Sequence, residues 1–188
     1  MKKGLIVLIV IAAVVVLLIT SGVGTYNGLV EKQEAIKGKA SIVQTDLQRR
    51  ADLIPNLVNT VKGYAAHEET VLTEVTAARS AVQAAGTTEE MLAANAELDS
   101  ALSRLMVVVE AYPDLKADAN FIALQDELAG TENRISTSRK DYNTAVQTYN
   151  EAIRRFPASI IAGMFGFERC DEYFEATASA QSAPVVEF

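Results

Sequence analysis

Cysteine and histidine are nearly missing from this 188-residue chain, which has one of each, Cys170 and His67. One cysteine excludes an internal disulfide and any cysteine-based metal cage. It leaves Cys170 as a small half-buried residue, an unpaired thiol or an intermolecular contact. One histidine excludes the two-imidazole zinc clamp that His67-Glu68-Glu69-Thr70-Val71 begins, because Val71 stands where the second histidine is needed one turn on. A G-x-S-x-G elbow, a P-loop and a dinucleotide glycine fingerprint are absent too. The many carboxylates are spaced as on solvated helix faces. No catalytic constellation, cofactor or metal site is therefore expected, and the chain does not read as an enzyme.

Charge is missing from the N-terminal region: none occurs between Gly4 and Val30, and every residue from Leu5 to Ile19 is apolar. About 20 helical residues at ~1.5 Å each cross a ~30 Å hydrocarbon core. The run leads into Ile19-Thr20-Ser21-Gly22-Val23 rather than an A-x-A-like cleavage site, and no lipid-attachment cysteine is near, so a retained anchor over residues 1–25 is favoured over a cleaved signal. Lys2 and Lys3 abut the run and favour a cytoplasmic N-terminus, against Lys32, Lys37 and Lys39 on the other flank. The reading is a single-pass membrane protein with its N-terminus inside and its body on the outer side. With the first two lysines set aside, fifteen basic residues face 24 acidic ones. Such a body has no call for nucleic acid, nor as a whole for anionic lipid.

Proline is scarce and strand-like alternation absent, so residues 26–156 read as all-helical. Met91, Leu98, Leu105 and Tyr112 recur every seven residues, with Asn95, Leu102 and Val109 interleaved, the coiled-coil-like seam of a helix facing a partner. Before it, Gly86 stops one helix, and Thr87 with Glu90 supplies a capping box for the next. A second turn falls at Tyr112-Pro113-Asp114, with Asn120 as the expected cap of a long helix. That helix carries Phe121, Leu124, Leu128, Ile135, Tyr142, Val146, Tyr149, Ile153 and Phe156 on one face. Upstream, Tyr26, Leu29, Val30, Ile36, Val43 and Leu47 trace one stripe, and Ile54, Val58, Val61, Ala65, Leu72, Val75 and Val82 another.

Pro55 interrupts this upstream region. Phase hardly changes across it, which favours one kinked rod, but a rod from 26 to 85 would run ~90 Å and leave apolar stripe without a partner. A corner near Asp52, with Asp52 as cap and Pro55 in the first turn, gives four helices of similar length and is favoured. The fold expected is an N-terminal transmembrane helix followed by an antiparallel up-and-down four-helix bundle. Four helices return the end of the last one to the bilayer. That brings back residues 156–167, an uncharged and mostly apolar run, as a membrane or subunit contact through Phe156, Ile160, Ile161, Met164, Phe165 and Phe167. With three helices the run would sit far out in water. It opens a closing segment, 157–188. Gly24-x-x-x-Gly28 either offers a close helix approach at the outer end of the anchor or is a chance spacing in a glycine-bearing linker. Arg50, Glu68, Glu132, Arg139 and polar Asn95 share phase with the stripes. Either the long ones snorkel at the seam edge, or Glu68 meets Arg139 in a buried ionic layer.

The runs Tyr26-Asn27-Gly28-Leu29-Val30, Leu47-Gln48-Arg49-Arg50-Ala51-Asp52-Leu53-Ile54-Pro55-Asn56-Leu57-Val58 and Val61-Lys62-Gly63-Tyr64-Ala65-Ala66-His67-Glu68 resemble those of LemA family proteins. So do Phe121-Ile122-Ala123-Leu124-Gln125-Asp126-Glu127-Leu128, Glu132-Asn133-Arg134-Ile135, Arg139 with Tyr142-Asn143, Tyr149-Asn150 and the closing Pro184-Val185-Val186-Glu187-Phe188. The resemblance implies a small bacterial envelope protein with a membrane helix and a bromodomain-like four-helix bundle, and it supplies no activity or catalytic residue. The anchor, the helical body and the absence of chemistry lead to the expected role. It is a non-enzymatic membrane-anchored scaffold, with the lipid bilayer and further copies of the chain as partners, forming a homo-oligomeric array that shapes or supports the membrane. The alternative is an adaptor presenting Arg50, Asp52 and Asp114 to another envelope protein, such as a protease or sensor.

Overall fold

The computed structural model describes residues 2–174, so the closing Pro184–Phe188 run lies outside the described residues. Among the described residues there are six helices and no strand: α1 (Lys2–Tyr64), α2 (Glu69–Ala84), α3 (Thr88–Val109), α4 (Pro113–Lys116), α5 (Ala119–Arg154) and α6 (Ala158–Phe165). They group into two compact bodies, residues 2–40 with 140–174, and residues 41–139. α1 and α5 contribute to both.

The body formed by residues 41–139 is an antiparallel four-helix bundle of α1, α2, α3 and α5. Arg49 pairs with Glu127 at 2.7 Å and Tyr64 Oη donates to Asp118 Oδ2 at 2.9 Å, which sets α5 antiparallel to α1. The Arg104–Glu74 pair at 2.9 Å joins α2 and α3 across their turn. Its core takes Ile54, Leu57, Val61, Leu72, Val75, Leu98, Leu105, Leu115 and Phe121, so the stripes and the heptad seam face inward as their spacing requires. The capping box forms as expected: Glu90 N–H donates to Thr87 Oγ1 and Thr87 N–H to Glu90 Oε2, each at 3.2 Å. Asp118, not Asn120, caps α5. Its Oδ1 accepts from the N–H groups of Asn120 and Phe121, both at 2.9 Å.

One expected boundary is overturned. α1 runs unbroken through Pro55, and Asp52 caps nothing; it accepts from Gln48 Nε2 one turn away. The first reversal comes later, at Ala65-Ala66-His67-Glu68. A proline inside a helix deprives the carbonyl four residues earlier of its donor. That carbonyl is Ala51 O, and Arg79 Nε of α2 donates to it at 2.9 Å. A cross-helix donor thus replaces the missing amide, and the helix need not end. The four-helix count survives because the corner moved rather than vanished.

In the other body, α5 lies antiparallel to α1. Lys39 Nζ meets Asp141 Oδ2 at 2.8 Å, and the end of α5 leads into α6 beside Tyr26. Leu29, Ile36, Tyr142, Val146, Tyr149 and Ile153 are buried. The aliphatic residues from Leu5 to Ile19 are all exposed, an apolar helix with no protein over it.

Candidate membrane interface

The site is built where α1 leaves its apolar run. A Cβ placed on Gly22 would stand 3.8 Å from Ile161 Cδ1, an ordinary contact distance. One turn on, the Tyr26 ring meets Phe165 with centroids 4.9 Å apart, and Phe167 edge-on at 5.5 Å. Such tilted and edge contacts are the favoured geometries of aromatic pairs. The Ala162 side of α6 is buried, while Phe156 is 82% exposed, Ile160 54%, Met164 72% and Phe165 59%. Ile160 and Met164 stand four residues apart on α6 and share its open face, and Phe156 is exposed in the turn that precedes it. α6 ends at Gly166 with φ +72°, a left-handed conformation that glycine adopts at low cost, and Phe167 N–H closes the turn onto Ala162 O at 3.0 Å.

From Phe167 the chain turns back along α5. Asn150 pairs with one backbone unit through both ends of its amide: Nδ2 donates to Cys170 O at 2.6 Å, and Cys170 N–H donates to Oδ1 at 3.0 Å. Asn143 repeats this with Phe174, at 2.8 and 2.9 Å. The two asparagines are seven residues apart on α5, about 10.5 Å along its axis, and the four residue steps from 170 to 174 cover that distance only if nearly extended. Tyr149 Oη adds a bond to Glu168 O at 2.8 Å, and Phe174 packs edge-on against Tyr142. Burial first, and then the Cys170 thiol and the Glu172 carboxylate of this strap, push the Tyr142 hydroxyl up to about 12. The asparagines were missed as site residues in the sequence. Their signal is the Tyr-Asn doublet, Tyr142-Asn143 and Tyr149-Asn150, recurring after two helical turns.

The remaining sequence-derived residues fall as follows. Ile161 and Phe167 are half-buried on the side of the 156–167 segment that faces α1. Gly24 is exposed and Gly28 partly so, and a Cβ on either would meet nothing within 4 Å. Cys170 is half-buried in the strap. The charged layer is centred on Arg50 rather than on Glu68 and Arg139. Arg50 is buried, paired with Asp99 of α3, with Glu132 of α5 at 3.0 Å, and bonded to Asn95 Oδ1 at 3.4 Å. Glu68 instead accepts from Tyr112 Oη at 3.1 Å beside the 65–68 turn. Arg139 lies 21 residues along α5 from Asp118, about 31 Å from that turn. Moving the corner also separates the adaptor residues. Arg50 and Asp52 sit mid-helix, while Asp114 lies on α4 near the bundle's end.

The profile described as LemA family matches residues 39–188. The chain is 31% identical over 176 residues to magnetosome protein MamQ 2 of Paramagnetospirillum magneticum, covering 80% of this chain and 64% of that protein. It is similar to magnetosome protein MamQ of Magnetospirillum gryphiswaldense (27% identical, 85% and 68% covered) and to protein LemA of Metamycoplasma hominis (26%, 74% and 64%). The chain thus spans a little under two thirds of the length of the first of these relatives.

Proposed function

The chain belongs to the LemA family, and from that premise we propose that it is a non-enzymatic, membrane-anchored helical scaffold whose copies associate at the bilayer surface. The observation that carries the reading is α1 itself. Its uncharged, mostly apolar stretch from Leu5 to Gly24 is long enough as a helix to cross hydrocarbon, and the same helix goes on to supply one of the four helices of the bundle. In this reading Lys2 and Lys3 hold the N-terminus in the cytoplasm, and the bundle stands on the outer side. Copies meet first through α1, where Gly24 and Gly28 leave room for a second helix to approach. Held in one plane, the acidic bodies form an array that supports or shapes the membrane. The magnetosome names of the relatives are compatible with such a role at a membrane.

The test is proximity crosslinking of the full-length chain in native membranes, followed by electron microscopy of the detergent-extracted protein. Self-crosslinks and ordered particles larger than one copy are expected. A monomer that crosslinks to a single foreign envelope protein would overturn the scaffold in favour of an adaptor.

A further inference from the structure

Resting on the reading of α1 as a membrane span, we infer that α6 and Phe156 form a second membrane contact. They make an apolar foot that lies in the bilayer interface beside the span and takes the acyl boundary of the lipid without regard to headgroup charge.

Depth comes first. Twenty residues from Leu5 to Gly24 give about 30 Å of helix, the thickness of the hydrocarbon core. Gly22 and Tyr26 therefore bracket the level at which α1 leaves hydrocarbon. Phe165 and Phe167 touch Tyr26, and Ile161 Cδ1 lies 3.8 Å from where a Cβ on Gly22 would stand. α6 is thus held at the lipid boundary by direct contact with α1 just past the span. Two turns of helix are too few to cross the bilayer, and a short apolar helix at this level buries its open face by lying in the interface.

Chemistry selects the lipid over other occupants. The open face presents Phe156, Ile160, Met164 and Phe165, and residues 156–167 carry no charge. The nearest paired cations are neutralised within the chain, Arg155 by Glu151 at 2.8 Å and Arg169 by Asp171. Glu168 and Glu172 add negative charge on the strap side, with Arg154 the remaining cation at the end of α5. Among the described residues no cationic cluster is left beside α6 to choose anionic headgroups, so apolar burial is the recognition. The strap completes the device. Asn150 and Asn143 fix residues 170 and 174 on α5, so the chain leaving α6 through Gly166 is tethered on both sides.

Full-length protein with Cys170→Ser, and a single cysteine introduced by Ile160→Cys, Met164→Cys, Val14→Cys or Lys37→Cys, is labelled with an environment-sensitive fluorophore. It is then placed in phosphatidylcholine vesicles containing doxyl-quencher lipids. Labels at 160 and 164 are expected to be quenched severalfold more than the label at 37. The quenching is expected to stay unchanged when phosphatidylglycerol is added or salt is raised. Quenching no greater than at 37 would overturn the inference. So would quenching that appears only with phosphatidylglycerol, or protection from aqueous iodide without lipid quenching, the signature of a second copy. Val14 separates the two readings. If it is quenched while 160 and 164 are not, the foot fails and the anchor stands; if Val14 is unquenched, the anchor itself fails.

Discussion

Pro55 shows how one residue can carry a clear sequence signal whose outcome is decided elsewhere. Its missing N–H is visible in the chain, but the Arg79 side chain that serves Ala51 O comes from another helix, 28 residues away from Ala51. Helix length favoured a break, and a tertiary hydrogen bond removed the need for one. The pairing predicts coupling. Arg79→Met should cost about 1.5–3 kcal/mol, as for loss of a hydrogen bond from a charged donor to a part-buried acceptor. In a Pro55→Ala background the cost should shrink, because the new amide can serve Ala51 O itself. Urea unfolding of the four species of the double-mutant cycle measures this, and equal costs in both backgrounds would refute the pairing. Arg50 follows the same logic. The stripes identified it as in phase with the core, but phase alone leaves helix ends open by a turn or more. Glu68 and Arg139 were matched on an assumed corner that lies elsewhere in the chain. Arg50→Met should therefore destabilise the bundle by about 1–3 kcal/mol through its orphaned partners, whereas Glu68→Gln, at the turn, should change stability little. Chemical denaturation of each variant tests this contrast.

At the scale of the element, α5 was legible over most of its length because its apolar period persists through it. Its start and its polar face were less so. Asp118 was overlooked because Asn120 stands closer to the first apolar residue, and both are cap-forming types. Phe121 N–H and then the Tyr64 hydroxyl hold the Asp118 carboxyl below the usual carboxylate range. A depressed folded value contributes stability above the ordinary carboxylate pKa, and that stability is lost as pH falls through the folded value. Asp118→Asn should lower the melting temperature at neutral pH and flatten the acid limb of a pH–stability profile; an unchanged acid limb would exclude this role. On the opposite flank of pH, Tyr142 is raised. Its contribution is complete below pH 10 and disappears as pH rises toward its folded value of about 12. Asn143→Ala with Asn150→Ala should release the strap, bring the Tyr142 ionisation down toward 10, and strip hydrogen-exchange protection from the Cys170 and Phe174 amides. Ultraviolet titration and exchange mass spectrometry read the two effects separately. The strap could not be read from periodicity, because its pairing is to backbone and leaves no apolar pattern in residues 167–174.

For the whole molecule, charge and exposed apolar surface set opposing demands. The chain carries a net charge of −7, and in physiological salt, where the Debye length is about 8 Å, like-charged bodies repel only at close range. The proposed lateral association therefore needs an attractive contact, and a close helix approach at the outer edge of the bilayer is such a contact. Gly24 and Gly28 lie one turn apart, with nothing within 4 Å of a Cβ on either. Gly24→Leu with Gly28→Leu should leave the folded chain undisturbed, since both side chains project into open space, yet hold a neighbouring helix at a greater distance. The expected result is an unchanged melting temperature and several-fold weaker self-crosslinking in vesicles, independent of salt. Crosslinking that persists in the double variant but strengthens with added salt would instead place the contact between the acidic bodies, where screening relieves their repulsion.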